Sequence, residues 1–317
     1  MIFDILLSLL NSVKNILFEW SNYMEFVKNW LAISLILLII AGCSSKDATS
    51  PGDDGQPDKI EKSAKRGLAY NLTNAADLDT LKSGVSWWYN WYFRTDAPDD
   101  YYADYQMEFI PMLWGGNSAG DFVLVKDFIR AHSEIQYLLV LNEPNLTDQA
   151  NQTPVQAAIN WPQYEQLIDD LAAEERTVYL VGPAMNWGTM TDYWDPVVWL
   201  DAFYAAYKAR NEDRDPRIDY LAFHWYDYGL ASQLDRLKKY GKKIWITEMA
   251  NWNAQINSYA KQAEQMTQMV ALCEGRDDVF RYAWFIGRGA ENHYSNLFNA
   301  GPGDLNDLGK LYINLPY

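Results

Sequence analysis

The run Tyr137-Leu138-Leu139-Val140-Leu141-Asn142-Glu143-Pro144-Asn145 carries an aliphatic segment straight onto a carboxylate. Its apolar part is short, continuous and closed off by Asn and Pro, which reads as a buried strand. A second run, Ile244-Trp245-Ile246-Thr247-Glu248, ends the same way. A carboxylate at the exit of a buried strand is costly unless it is solvated, paired or in use. Two of them on different strands of one domain are the minimum equipment for cleaving a glycosidic bond.

Around these runs, strand-like and helical patterns alternate. Strand candidates are Gly67 to Asn71, Val85 to Trp91, Phe109 to Trp114, Leu138 to Leu141, Val178 to Pro183, Tyr220 to Trp225, Lys243 to Thr247 and Tyr282 to Ile286. Between them, Asp121 to His132, Tyr164 to Glu174, Val197 to Arg210 and Ser258 to Leu272 repeat apolar residues at helical spacing. Eight buried strands alternating with helices predict an α/β fold, a (β/α)8 TIM barrel forming a single catalytic domain over residues 66–317. No Gly-x-Gly-x-x-Gly follows the first strand, so an open dinucleotide-binding sheet has no support. In such a barrel the functional groups stand at the C-terminal strand ends. Glu143 and Glu248 do, as do Trp114, His224, Trp225, Tyr226 and Trp284.

The chain has 317 residues, 49% of them hydrophobic, ample for one large core. Lys and Arg total 26 against 42 Asp and Glu, a net charge of -16. That acidic balance argues against nucleic acid and anionic lipid as partners and suits a neutral polymer. The 14 Trp and 22 Tyr fit a glycan cleft, because flat aromatic faces pack on the apolar faces of sugar rings. Core packing is the competing use, and about half of them are expected there. The three histidines, His132, His224 and His293, show no metal-ligand spacing, so neither a metal nor a cofactor is expected.

Trp30 to Ala41 is an apolar run preceded by Lys28 and followed by the small residue Gly42. It is shorter than the roughly 20 residues a spanning helix needs and has the layout of a secretory signal. Ile40-Ala41-Gly42-Cys43 resembles a bacterial lipobox, which implies cleavage before Cys43 and lipidation of it. Residues 1–42 are then the signal segment, with Met24 a better-proportioned start than Met1. Residues 43–65 are polar, with Pro and Gly and no apolar period at their start, and read as a disordered tether. The expected location is outside the cytoplasm, on the bacterial outer membrane, touching the bilayer only through the lipid. The other cysteine, Cys273, reads as a small buried apolar residue.

Several runs resemble glycoside hydrolase family 128. They are Ser86-Trp87-Trp88-Tyr89-Asn90-Trp91, Phe109 to Gly115, Leu141 to Asn145, Gly182-Pro183-Ala184, Phe223-His224-Trp225-Tyr226, Trp245 to Glu248 and Arg281 to Phe285. The tail around Asn296 to Asn299, Leu305 to Gly309 and Tyr312 resembles that family's closing helix. The resemblance implies a retaining β-1,3-glucanase, here expected to be endo-acting and monomeric. By position it makes Glu143 the general acid/base and Glu248 the nucleophile; burial near aromatic walls and the charge of Glu248 are then expected to raise the Glu143 pKa. Asn142 would bond the 2-hydroxyl, and His224 and Tyr226 would hold Glu248 ionised. Asn90, Trp91, Trp114, Trp252 and Trp284 complete the expected substrate-binding set. The alternatives are an exo-acting or other-linkage β-glucanase, and a surface lipoprotein that binds glycan without cutting it.

Overall fold

The computed structural model describes residues 59–289 and 293–317. The signal segment, Cys43 and the tether up to residue 58 lie outside the described residues. Among the described residues, no helix is long and apolar enough to cross a membrane.

The fold is α/β. Its strands are β1 (Arg66–Ala69), β2 (Trp87–Tyr89), β3 (Glu108–Phe109), β4 (Met112–Leu113), β5 (Tyr137–Val140), β6 (Tyr179–Met185), β7 (Tyr220–Trp225), β8 (Lys243–Met249) and β9 (Val279–Trp284). They form one sheet in the order β3-β2-β1-β9-β8-β7-β6-β5-β4, with every pair parallel. The eight expected strands become nine because the third is divided at Ile110-Pro111. Pro111 has no N–H for a ladder. Ile110 N still donates to Trp88 O of β2 at 2.9 Å, while Pro111 O accepts from Leu139 N of β5 at 3.0 Å. The two outermost strands are therefore consecutive pieces of one segment.

Strand alternation sorts the side chains onto two faces. Trp87, Tyr89, Met112, Tyr137, Leu139 and Trp245 pack together on the inner face. Leu68, Trp88, Phe109, Leu138, Val140 and Ile246 pack with the helices on the other. Large inner residues need small neighbours. A Cβ on Gly67 would lie 2.2 Å from Trp87 Cε2, so the residue beside that indole has to be glycine. At the N-terminal strand ends the Arg281 guanidinium sits 4.9 Å from the Tyr137 ring centre and pairs with Glu108 at 2.6 Å.

The helices are α1 (Ala75–Leu81), α2 (Tyr101–Tyr105), α3 (Ala119–Ala131), α4 (Pro154–Ala173), α5 (Pro196–Lys208), α6 (Leu230–Leu237), α7 (Tyr259–Glu274) and α8 (Asp307–Asn314). Helix α4 starts well before the expected Tyr164. Thr153 and Gln156 form a capping box and Pro154 takes the first turn, where a missing N–H costs nothing. Pro162 lies inside the helix, which continues because Trp161, Tyr164, Leu167 and Ile168 bury the same face. Residues 59–65, the end of the expected tether, lie against the fold. Lys65 Nζ donates to Cys273 O, Glu274 O and Arg276 O at the C-terminus of α7, where a cation is favoured. Lys62 Nζ donates to Val85 O at 2.8 Å, and burial pushes its pKa down to about 8. Polar composition concealed this docking, which runs largely through hydrogen bonds, among them ammonium groups on backbone carbonyls.

Candidate active site

The exit of β5 is bent out of ordinary strand geometry. Leu141 and Glu143 both take left-handed backbone angles, with φ of 60° and 46°. Such conformations cost of order 1–3 kcal/mol each and persist where neighbours hold them. Here the neighbours are the flanking strand ends. Asn142 N donates to Trp114 O and Glu143 N to Ala184 O, each at 2.7 Å, and Ala184 N returns a bond to Leu141 O at 3.0 Å. The carboxylate of Glu143 is thereby fixed in the mouth of the sheet, 7% exposed.

A bulge brings up the second carboxylate. Phe223 pairs with Ile246, but the next pair is His224 with Glu248. Thr247 is the extra residue, and such an insertion re-aims the side chains beyond it. Glu248 consequently lies opposite His224. Its Oε1 accepts from Tyr89 OH at 2.8 Å and from Trp91 Nε1 at 2.7 Å, and its Oε2 accepts from Tyr226 OH. Burial first, then the charge of Glu248, raises the Tyr89 and Tyr226 phenols well above their ordinary value. Both remain hydrogen-bond donors at any working pH.

His224 bridges the two acids. Its Nδ1 is 2.7 Å from Glu143 Oε1 and 3.4 Å from Glu248 Oε2. Its Nε2 is buried and has no hydrogen-bond partner among the described residues; in the imidazolium both ring nitrogens carry protons, so Nδ1 can pass one to Glu143 and leave a neutral ring. Burial acts to lower the imidazole pKa, but the Glu248 charge and the Glu143 hydrogen bond outweigh it, and the value is raised above 6.5. For Glu143, burial acts upward while the His224 bond and charge and the Asn186 amide (Nδ2 to Oε1, 2.8 Å) act downward, leaving it lowered. The expected raised acid is thus corrected, because His224 sits against it. One proton is held by the His224–Glu143 pair rather than by either residue alone.

One atom each of Glu143, His224 and Glu248 lie within 4.8 Å of one another. Around them opens a cleft of about 510 Å³ whose walls include Trp91, Trp114, Tyr226, Trp252 and Phe285. Asn142, Gln149 and Asn186 supply its amide groups. Asn142 Oδ1 is buried and lacks a partner among the described residues. Another cavity, of about 430 Å³, lies between α7 and the C-terminal tail. Its one carboxylate, Glu274, already accepts from Tyr282 OH at 2.6 Å, so it offers no catalytic pair.

Of the expected site residues, Glu143, Glu248, Asn142, Tyr226, Trp91, Trp114 and Trp252 line the cleft, and His224 lies beneath it. Trp284 does not. It is fully buried, donates to Ser295 O at 2.8 Å and faces Tyr312, because alternation along β9 turns its neighbour Ala283 inward instead. Asn90 spends its side chain on Asn71 Oδ1 and Arg94 O, both at 3.0 Å, and is not a wall of the cleft. Tyr89 and Asn186 are additional to the expected set. Tyr89 is two residues from Trp87 on the same face of β2, a signal alternation contains. Asn186 was concealed because β6 runs to Met185, beyond the expected Pro183.

Residues 67–312 match the family model of a glycosyl hydrolase catalytic core. A family 128, subgroup II endo-β-1,3-glucanase from Pseudomonas viridiflava is 53% identical, with a TM-score of 0.76 over 81% of this chain and 100% of that one. A subgroup I endo-β-1,3-glucanase from Amycolatopsis mediterranei, solved with laminaritriose, is 26% identical, with a TM-score of 0.62 over 80% of this chain and all of that one. Alkali-sensitive linkage protein 1 of Schizosaccharomyces pombe is 28% identical over 267 residues. That match takes in 80% of this chain, which spans 45% of the yeast protein's length.

Proposed function

The chain belongs to glycoside hydrolase family 128, and from that membership we propose that it cleaves β-1,3-glucan internally, with retention, on a closed (β/α)8 barrel. Closure is supported by β3 and β4, the two ends of the sheet, being pieces of one segment, which makes eight strands of nine. The observation that carries the retaining reading is the spacing of the acids, with an oxygen of Glu143 and one of Glu248 within 4.8 Å. Retaining pairs stand about 5–5.5 Å apart, whereas inverting pairs need roughly 6.5–9.5 Å to admit a water.

In this reading Glu248 attacks the anomeric carbon as the glycosidic C–O bond breaks, and the leaving oxygen takes the proton held by the Glu143–His224 pair. A glycosyl ester on Glu248 results. Glu143 then draws a proton from water as that water attacks the same carbon, and Glu248 leaves as a carboxylate. Tyr89, Trp91 and Tyr226 orient the Glu248 oxygens through both steps. The unpartnered Oδ1 of Asn142 suits the sugar's 2-hydroxyl. The test is a product profile of purified residues 44–317 on β-1,3-, mixed-linkage and β-1,4-glucans. A ladder of laminari-oligosaccharides from laminarin is expected. Glucose alone would make the enzyme exo-acting, and affinity without products would leave only a glycan binder.

The lipid anchor at Cys43, with residence outside the cytoplasm on the outer membrane, belongs to the same proposal and rests on the lipobox-like run. Metabolic labelling with a fatty-acid analogue should mark the wild-type chain and not Cys43→Ala.

A further inference from the structure

We propose that Trp194, backed by Trp187, forms a sugar-binding platform on the leaving-group side of the cleft, taking a pyranose ring of the β-1,3-glucan chain. The inference deepens the proposed function and rests on its substrate class. Trp194 is 58% exposed and Trp187 38%. Single exposed apolar residues need no explanation, but these two indoles stack, with ring centroids 5.2 Å apart and planes inclined by 23°. The Arg236 guanidinium lies 5.5 Å from the Trp187 ring centre and is itself tied to Asp195 at 2.6 Å. Trp194 is therefore supported from behind, while most of its surface is left to solvent.

The loop that carries these rings is locked to the acid/base loop. Gly188 N donates to Trp194 O at 2.7 Å, closing it. Thr189 N and Met190 N both donate to Asn145 O at 3.0 Å, and Asn145 Nδ2 donates to Asn186 O at 2.7 Å. A Cβ on Gly188 would come within 2.3 Å of Asn145 O, so the approach is too close for any other residue. Asn186, next to Trp187, is the residue that bonds Glu143. The two indoles lie beyond the cleft walls named above, and because the proposed steps make Glu143 the proton donor, a glucan chain that extends past its side of the site would bring the departing sugars to them. The rings are held before substrate arrives, so binding does not have to order them.

The test compares wild type with Trp194→Ala and Trp194→Tyr on laminari-oligosaccharides of increasing length. For Trp194→Ala, kcat/KM for laminarihexaose should fall about tenfold, with a smaller fall for laminaritriose, and Trp194→Tyr should recover most of the loss. In a Glu248→Ala background, calorimetry should show laminarihexaose binding about tenfold weaker once Trp194→Ala is added. Equal falls at every chain length, or unchanged affinity in the calorimetric pair, would overturn the platform. Failure of wild type to release sugar from laminarin would count against the proposed function alone, because the calorimetric comparison needs no turnover.

Discussion

The Nδ1 atom of His224 stands 2.7 Å from Glu143 Oε1, so the carboxylate proposed as the proton donor shares its proton with an imidazole. A buried carboxyl ordinarily keeps its proton because the charged form is poorly solvated. Here a second proton site lies in contact with it, and the charge of Glu248 at 3.4 Å favours protonation of that site.

In the proposed mechanism this pairing should set the basic limb of activity. Against the effect of burial, the Glu248 charge and the Glu143 hydrogen bond raise the His224 pKa above 6.5, so the pair gives up its proton at higher pH than a free imidazole would. The wild-type kcat/KM should hold at pH 6.5 and decline at higher pH. His224→Asn removes one site for the proton, so its basic limb should move to lower pH, with activity at pH 7 down roughly 10–100-fold. A pH–rate series on both proteins reads this; coincident basic limbs would remove His224 from proton handling. The linked stability has the same sign. It is fully present below pH 6.5 and is lost as pH rises through the raised value.

The two acids should fail differently. Glu248→Ala should abolish turnover of every substrate while the fold persists. Glu143→Ala should cut polymer hydrolysis about 10²–10⁴-fold but spare aryl glycosides whose leaving groups need no proton. Azide should rescue Glu143→Ala through a β-azide product, seen by NMR; an α-azide would contradict retention.

Acid stability should depend on Asp77, which lies away from the cleft. Its buried carboxylate takes Arg288 Nη1 at 2.6 Å, Arg288 Nη2 at 2.9 Å, Gly303 N at 2.7 Å and Asn74 Nδ2 at 2.9 Å. Burial acts upward on its pKa, the hydrogen bonds and the Arg288 charge act downward, and the value is lowered. Its contribution is therefore present above the ordinary Asp value and lost as pH falls through the lowered one. Asp77→Asn should destabilise by about 3–5 kcal/mol at pH 7, with a smaller difference in strong acid, by urea unfolding.

Chelators give a sharp negative control. Glu143, His224 and Glu248 are close enough to share a cation, but the proposed steps use their oxygens and proton directly. Dialysis against EDTA should leave the rate on laminarin unchanged, and restoration of a lost rate by added metal would require a different mechanism.

Much of the site was legible along the chain. Glu143 and Glu248 announce themselves as carboxylates at the exits of buried strands, and His224 and Tyr226 follow the same rule. The rule is local, because a strand's burial and its end are written in consecutive residues. Trp284 and Asn90 escaped it, one turned outward by alternation along β9 and the other held by loop partners. Asn186 escaped because the true end of β6 lies two residues beyond the pattern's.

The sequence by itself determined the alternation of strands and helices, the aromatic excess and the placing of Glu143 and Glu248 at strand exits, since each depends on residue type and short-range spacing. Only the tertiary structure decided that Thr247 is a bulge, that Glu248 consequently faces His224, and that His224 bonds Glu143. Those are relations between chain segments far apart in sequence. The register of β7 against β8 and the packing of aromatic rings between them fix such distances, and no run of consecutive residues encodes them.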